Sequence, residues 1–276
     1  MDLIIQGIEI ETSDLRELAK LSGASQIERI NRNAFRLIDA SRQDCISELC
    51  LEAELDFAFL DEHENLNHFR LMAMDMDSTL VGIETIDEIA DIHGIRKQVA
   101  EITEKAMYGE IDFSEGLIQR VALLKGLDHS VLQRVYDERL IFNPGAEKML
   151  KQVKTAGIKT MLISGGFTFF TDKLKDRLGL DYAFANTLEI VNGRLTGRLV
   201  GEIFGAKGKG QALNKICNEL GFRKENLIAI GDGANDLPMF AEAGVSIAYH
   251  AKPIVQENAT YAINYVGLDG VINIFQ

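Results

Sequence analysis

The sequence predicts an α/β protein. Its main body is a parallel, Rossmann-like sheet with a helical cap inserted after the first strand, preceded by a small α+β module. Three observations carry this expectation. From residue 145 to the end, strand-like and helix-like segments alternate, a pattern that builds a parallel sheet covered by helices on both faces. One apolar run, "LMAM" at 71–74, is cut off from the later strands by residues 83–144, which carry only helical periodicity. Residues 1–69 show a shorter alternation of their own.

In order along the chain, "LIIQGIEI" reads as a strand and "SDLRELAKLSG" as an amphipathic helix with Ser13 as N-cap. "AFRLIDA" reads as strand, "DCISELCLEAEL" as helix and "FAFL" as strand. Such a series without a phosphate loop suggests a ferredoxin-like or ACT-like module over 1–69, with a regulatory role. "LMAMD" then opens a core spanning 70–82 and 145–276. Between these parts, "TIDEIADIHG", "RKQVAEITEKAMYG", "DFSEGLIQRVALLKG" and "HSVLQRVYDERL" form the cap, 83–144. After Pro144-Gly145 the strands are "KTMLIS", "AFANTLEI", "LIAIGD", "SIAY" and "AINYV". Among them lie the helices "GAEKMLKQVKTAG", "FFTDKLKDRLG" and "GQALNKICNELG".

The chain's 276 residues suffice for unequal domains that each bury a core. A composition 46% hydrophobic and 26% charged fits a globular chain and excludes long disorder. No run approaches the ~18 apolar residues of a membrane span, and "MDLIIQGIEIETSDL" lacks the basic start of a secretory signal. Three cysteines fit a reducing compartment, so the expected location is the cytoplasm. The lack of an apolar span disfavours a membrane as a partner, and a net charge of −13 disfavours nucleic acid. It also means that an anionic substrate must be met by a few well-placed lysines and arginines.

The chemistry concentrates in four short stretches. In "DMDST", Asp75 and Asp77 stand two apart at the end of a strand, so they share a face at the edge where open α/β sheets bind ligands. Their mutual repulsion requires a cation or a shared proton, unless the pair is merely a turn signal. In "AIGDGANDLPMF", Asp232 and Asp236 occupy a strand-to-helix turn that superficially resembles a dinucleotide fingerprint, but Asp236 replaces its third glycine. Acids there favour a hard cation such as Mg2+. "LISGGF" offers Ser164 and Gly165 as a phosphate seat at a helix start. "AKGKGQAL" offers Lys207 and Lys209 without being a P-loop. Cys45, Cys50, His63 and His68 fit a zinc-finger spacing, but the acid-rich span 51–64 has no recognition helix. The two cysteines instead read as inward-facing helix residues.

Together "DMDST", "SGG", a lysine and "GDGAND" resemble the haloacid dehalogenase superfamily of phosphotransferases. "DMDSTLVGIETIDEIA", "EKAMYGEIDFSEGLIQRVALLKGL", "GLDYAFANTLEI" and "AKGKGQAL" narrow the resemblance to the phosphoserine phosphatase family, over about residues 70–276. It does not extend clearly over 1–69. The resemblance implies magnesium-dependent hydrolysis of O-phosphoserine, the last step of serine biosynthesis. Asp75 would be the nucleophile that becomes an aspartyl-phosphate, and Asp77 the general acid and then base. The metal would meet the Asp75 side chain, the Asp77 carbonyl and Asp232, with Asp236 close by. Ser164, the Gly165 N–H and Lys209 would hold the phosphoryl oxygens, Lys207 being the competing lysine. Glu84 and Arg120 would read the substrate's ammonium and carboxylate, with Asn235 and Phe113 as further contact or lid positions. A homodimer is compatible with this reading. The rivals are another capped phosphatase or phosphotransferase, which would not need both Glu84 and Arg120, and an amino-acid sensor on an inactive phosphatase fold. A sensor would have lost Asp75, Asp77, Lys209 or Asp232, and all four are present.

Overall fold

The computed structural model describes residues 1–61, 64–107 and 110–276; His63 of the zinc-like spacing lies outside them. The chain opens with β1 (Asp2–Gln6), α1 (Thr12–Ser22), β2 (Gln26–Asn31), β3 (Ala34–Ile38), α2 (Asp44–Glu52) and β4 (Asp56–Leu60). The strands form an antiparallel sheet in the order β2-β3-β1-β4, the ferredoxin-like arrangement. Strand alternation sorts the apolar residues. Leu3, Ile5, Leu37 and Phe59 meet Leu18 and Ile46 under the helices, whereas Ile4, Ala58 and Leu60 join Phe69 and Phe275 in the core of the main body.

Three expectations need correction here. Helix α1 starts at Thr12 with extended Glu11 as its N-cap, so Ser13 lies inside the first turn and caps nothing. Strand β2 was not expected. It is an exposed edge strand, and "QIERIN" has no buried face to impose a hydrophobic alternation. Cys50 is buried as expected, but Cys45 at the start of α2 is exposed.

The main body continues with β5 (Leu71–Met74), α3 (Thr85–Ile92), α4 (Arg96–Met107), α5 (Phe113–Ala122) and α6 (Ser130–Glu138). Then come α7 (Ala146–Thr155), β6 (Lys159–Phe167), α8 (Thr168–Leu178), β7 (Tyr182–Val191), β8 (Arg194–Val200) and α9 (Ala206–Leu220). It closes with β9 (Leu227–Gly231), α10 (Leu237–Glu242), β10 (Val245–Tyr249), α11 (Pro253–Gln256), β11 (Tyr261–Ile263) and α12 (Gly270–Ile274). Seven strands lie in the order β11-β10-β9-β5-β6-β7-β8. All neighbours are parallel except β7 and β8. Strand β8 is the second strand not expected from the sequence. It follows Asn192 and Gly193, both at positive φ, the backbone of a tight hairpin turn.

Strand β5 sits in the middle. After it the chain steps outward through β6 and β7, then returns to β9 on the other side, which creates a switch point at the carboxyl end of β5. The sheet is buried on both faces. Leu71, Ala73, Ile163 and Ala229 pack against Leu213, Ile216 and Phe240. Met72, Met74, Leu162 and Ile230 face Met149, Leu150 and Phe170. The N-terminal sheet is bonded to this body through Asp56, which accepts the backbone N–H groups of Asn264, Tyr265 and Val266 at 2.6, 3.0 and 3.1 Å. Asn273 links Gln6 and Asn31 to α12. Among the described residues no helix is long and apolar enough to cross a membrane.

Candidate active site

Asp75 follows β5 directly, and its N–H continues the ladder to Ile230 of β9. Its carboxyl is buried, accepting the N–H of Met76 through Oδ1 at 2.6 Å and Lys209 Nζ through Oδ2 at 2.5 Å. Lys209 is wholly buried in the first turns of α9 and also bonds Asp236 Oδ1 at 2.7 Å. Asp236 in turn accepts the Gly233 N–H, and Gly231 must lack a side chain because a Cβ there would lie 2.3 Å from Asp236 Oδ2. Of the two competing lysines, Lys209 is therefore the one at the carboxylates. Lys207 is exposed and borders a separate depression with Gln211 and Asn214.

Asp77 sits over the carboxyl end of β6. Its Oδ1 takes the Thr85 N–H at 2.8 Å and its Oδ2 takes the Ser164 hydroxyl at 3.2 Å. The Ser164 Oγ itself accepts the Gly166 N–H at 2.8 Å. This close approach needs Gly166, since a Cβ there would stand 2.7 Å from Asp77 Oδ2. Asp232, at the end of β9, is held by the Thr79 hydroxyl at 2.7 Å.

Above these groups lies a cavity of about 90 Å³, lined by Asp75, Asp77, Glu84, Thr85, Arg120, Gly165 and Asn235, among others. Phe113, the first residue of α5, covers Gly165 and Gly205; a Cβ on either would be 2.9 or 3.1 Å from its ring. Glu84 accepts the Ser78 hydroxyl at 2.7 Å at the rim. Arg120 is steadied by the Gly116 carbonyl at 3.3 Å and the Thr103 hydroxyl at 3.5 Å. Among the described residues Arg120 forms no salt bridge, so its guanidinium is open to an incoming anion. Sequence reasoning passed over Thr79, Thr85 and Asn186. Asn186 donates to the Gly165 and Phe204 carbonyls and accepts the Phe204 N–H, tying the phosphate seat to the approach of α9. Thr79 stood within the "DMDST" stretch, but nothing local in the sequence marks Asn186.

The electrostatics follow from three carboxylates facing one buried ammonium. Burial, reinforced by the charge of Asp236, raises Asp75 well above the ordinary carboxylate range, against the pull of Lys209. Burial also pushes Asp232 up to about 6, with Thr79 opposing and Asp236 reinforcing the rise. Burial raises Asp77, against the hydrogen bonds from Thr85 and Ser164. Desolvation in the cavity and then the charge of Asp77 raise Glu84, against the hydrogen bond from Ser78. Burial works against the charge on Lys209, but Asp236 and Asp75 win and raise it. The excess negative charge calls for a further cation. Oxygens of Asp75, Asp232 and Asp236 lie within 4.8 Å of one another, an all-carboxylate donor set of the kind hard divalent ions take.

Residues 69–244 match the model of the haloacid dehalogenase-like hydrolases, and residues 3–45 match a domain of unknown function. A phosphoserine phosphatase of Polaromonas is 52% identical over 214 residues, 76% of this chain and 91% of that one. One from Haemophilus influenzae is 37% identical over 98% of this chain and 87% of its own. The crystal structure of a probable phosphoserine phosphatase from Vibrio cholerae superimposes with a TM-score of 0.87 at 37% identity, covering 99% of this chain and 86% of that one.

Proposed function

The chain belongs to the phosphoserine phosphatases of the haloacid dehalogenase-like hydrolase family, and from that premise we propose the following reaction. It hydrolyses O-phosphoserine to serine and phosphate with Mg2+ as cofactor. The single observation that carries the reading is the meeting, in one small cavity, of a strand-end carboxylate pair with an arginine from α5 that forms no salt bridge among the described residues.

In the first half-reaction Asp75 attacks the phosphorus, forming an aspartyl-phosphate while the bond to the serine oxygen breaks. Asp77, whose burial favours its protonated form, gives its proton to that oxygen as serine leaves. In the second half-reaction Asp77 takes a proton from water, whose oxygen attacks the phosphorus and releases phosphate and Asp75. Lys209 balances the charge on Asp75, and Ser164 and the Gly165 N–H face the phosphoryl oxygens. Ser164 would turn its proton from Asp77 to the phosphate when substrate binds. Asp75, Asp232 and the Asp77 carbonyl, with Asp236 alongside, would hold Mg2+, which supplies charge neutralisation to the phosphoryl group.

Selectivity comes from the cap over 83–144. Arg120 offers a planar fork to the carboxylate, and Glu84 meets the ammonium. Phe113 closes over Gly165, while Asn235 borders the substrate. The test is phosphate release from a panel of phosphorylated metabolites, with Mg2+ and with EDTA. Phosphoserine should lead the panel and EDTA should abolish turnover. Equal rates on sugar phosphates would overturn the assignment.

A further inference from the structure

The Thr85 hydroxyl lies near enough to the Asp77 carboxyl to oppose the rise in its pKa, yet it makes no well-formed hydrogen bond. Thr85 is 1% exposed, and its Oγ1 is the one buried side-chain polar atom among the described residues that has no hydrogen-bond partner. A buried hydroxyl without a partner is costly, and such an atom in a native fold calls for an explanation. Its position supplies one. Thr85 is the first residue of α3, so no helical carbonyl one turn earlier is available to take its proton. Its backbone N–H is committed to Asp77 Oδ1, which fixes the residue against the acid. The residue lines the same 90 Å³ cavity as Asp77, Glu84 and Arg120.

The surroundings decide what the hydroxyl can receive. Glu84 is the adjacent residue, and the charges of Asp77, Asp232 and Asp87 all bear on it. An anion would be repelled from this wall and is better served by Arg120, which no acid among the described residues holds in a salt bridge. A cationic donor is attracted to it. A hydroxyl can accept one hydrogen bond while giving its own proton to another group, and the Asp77 carboxyl is beside it.

We propose that Thr85 Oγ1 is a specificity-determining substrate contact. It accepts a hydrogen bond from the ammonium of an amino-bearing phosphate monoester and donates its own hydrogen bond to an oxygen of the Asp77 carboxyl. Thr85 and Glu84 would then share the ammonium, which links recognition of the amine to the placement of the acid. The inference rests on the phosphoserine reading above and adds a residue to it.

The experiment compares O-phosphoserine with its deamino analogue, O-phospho-3-hydroxypropanoate, using wild type, Thr85→Val and Thr85→Ser with Mg2+ present. Valine keeps the shape and removes the hydroxyl. The ratio of kcat/KM for phosphoserine to that for the analogue should fall about tenfold or more in Thr85→Val, the scale of a lost hydrogen bond to a charged group. Most of the fall should appear in KM. Thr85→Ser should bring the ratio back to within about threefold of wild type, because it restores the donor and acceptor. Equal losses on both substrates would mean that the hydroxyl serves only Asp77 or the helix, and would overturn the proposal. An unchanged ratio, as expected if only water occupies the hydroxyl, would overturn it too, as would a serine variant that fails to restore selectivity. Thermal melting checks the fold, and Thr85→Ala carries the same comparison if valine destabilises it. A wild type inactive on phosphoserine would instead unseat the functional reading, so the two failures are distinguishable.

Discussion

Removing the Arg120 side chain tests how selectivity is built. Arg120 lines the cavity, and among the described residues its guanidinium is hydrogen-bonded only to the Gly116 carbonyl and the Thr103 hydroxyl, both at the long end of hydrogen-bond range. Burial lowers its pKa, and the charges of Asp87, Glu84 and Asp77 hold it up. Arg120→Ala removes the cation and leaves those acids in place, so a substrate carboxylate would enter an unrelieved negative field. Hydrogen bonds to a charged group are worth roughly 1.5–3 kcal/mol, which is about 10–100-fold in kcat/KM. The remaining acids put the expected loss for phosphoserine toward the upper end. Phosphoethanolamine lacks the carboxylate and should lose less than about threefold by the same reasoning. Arg120→Lys should recover part of the loss, since it restores charge without the planar fork. The assay is steady-state phosphate release on both substrates. Equal losses on the two would refute the reasoning and reduce Arg120 to a support for the cap.

Other perturbations separate the remaining roles. Asp75→Asn should abolish turnover and covalent phosphate, and mass spectrometry of trapped enzyme should find label on Asp75; label on Ser78 or Ser164 would contradict the assignment. Asp77→Asn should slow both half-reactions by about 10²–10⁴-fold, the usual contribution of a general acid/base, as single-turnover kinetics would show. Asp56→Ala leaves three backbone donors without their acceptor. With water recovering part of the loss, it should cost roughly 2–4 kcal/mol and lower Tm by about 5–10 °C, a shift calorimetry would detect.

The site was more legible than the fold around it because its chemistry is local. Asp75 and Asp77 converge through the alternation of an extended segment. Gly231 and Asp232 announce a strand-to-helix turn, and Ser164 with its glycines repeats that signal on the neighbouring strand. Each stretch is short, and the parallel sheet brings all of their carboxyl ends to one edge. The choice between Lys207 and Lys209 was not local. It depends on which face of α9 turns toward Asp75, and two lysines two residues apart look alike until the helix is packed. Asn186 was invisible for the same reason, since its three bonds reach segments about twenty residues away on both sides.

The N-terminal module shows the opposite case. Its sheet order matches the ferredoxin-like expectation although β2 is not legible in the sequence, because β2 contributes little buried surface and leaves no hydrophobic imprint. Nothing local in the sequence marks how firmly this module is joined to the rest. Ile4, Ala58 and Leu60 share one apolar cluster with Phe69 and Phe275, and buried Asp56 is satisfied entirely by backbone from the loop after β11. Burial raises the pKa of Asp56 against those three hydrogen bonds, so holding its charge there works against stability that the bonds must restore. A truncation near Asn67 would retain every proposed catalytic group. It would also bare the apolar face of α12 and strip the loop 264–266 of its acceptor. Loss of activity in such a truncation would therefore first have to be separated from loss of fold before it could count as a sign of regulation.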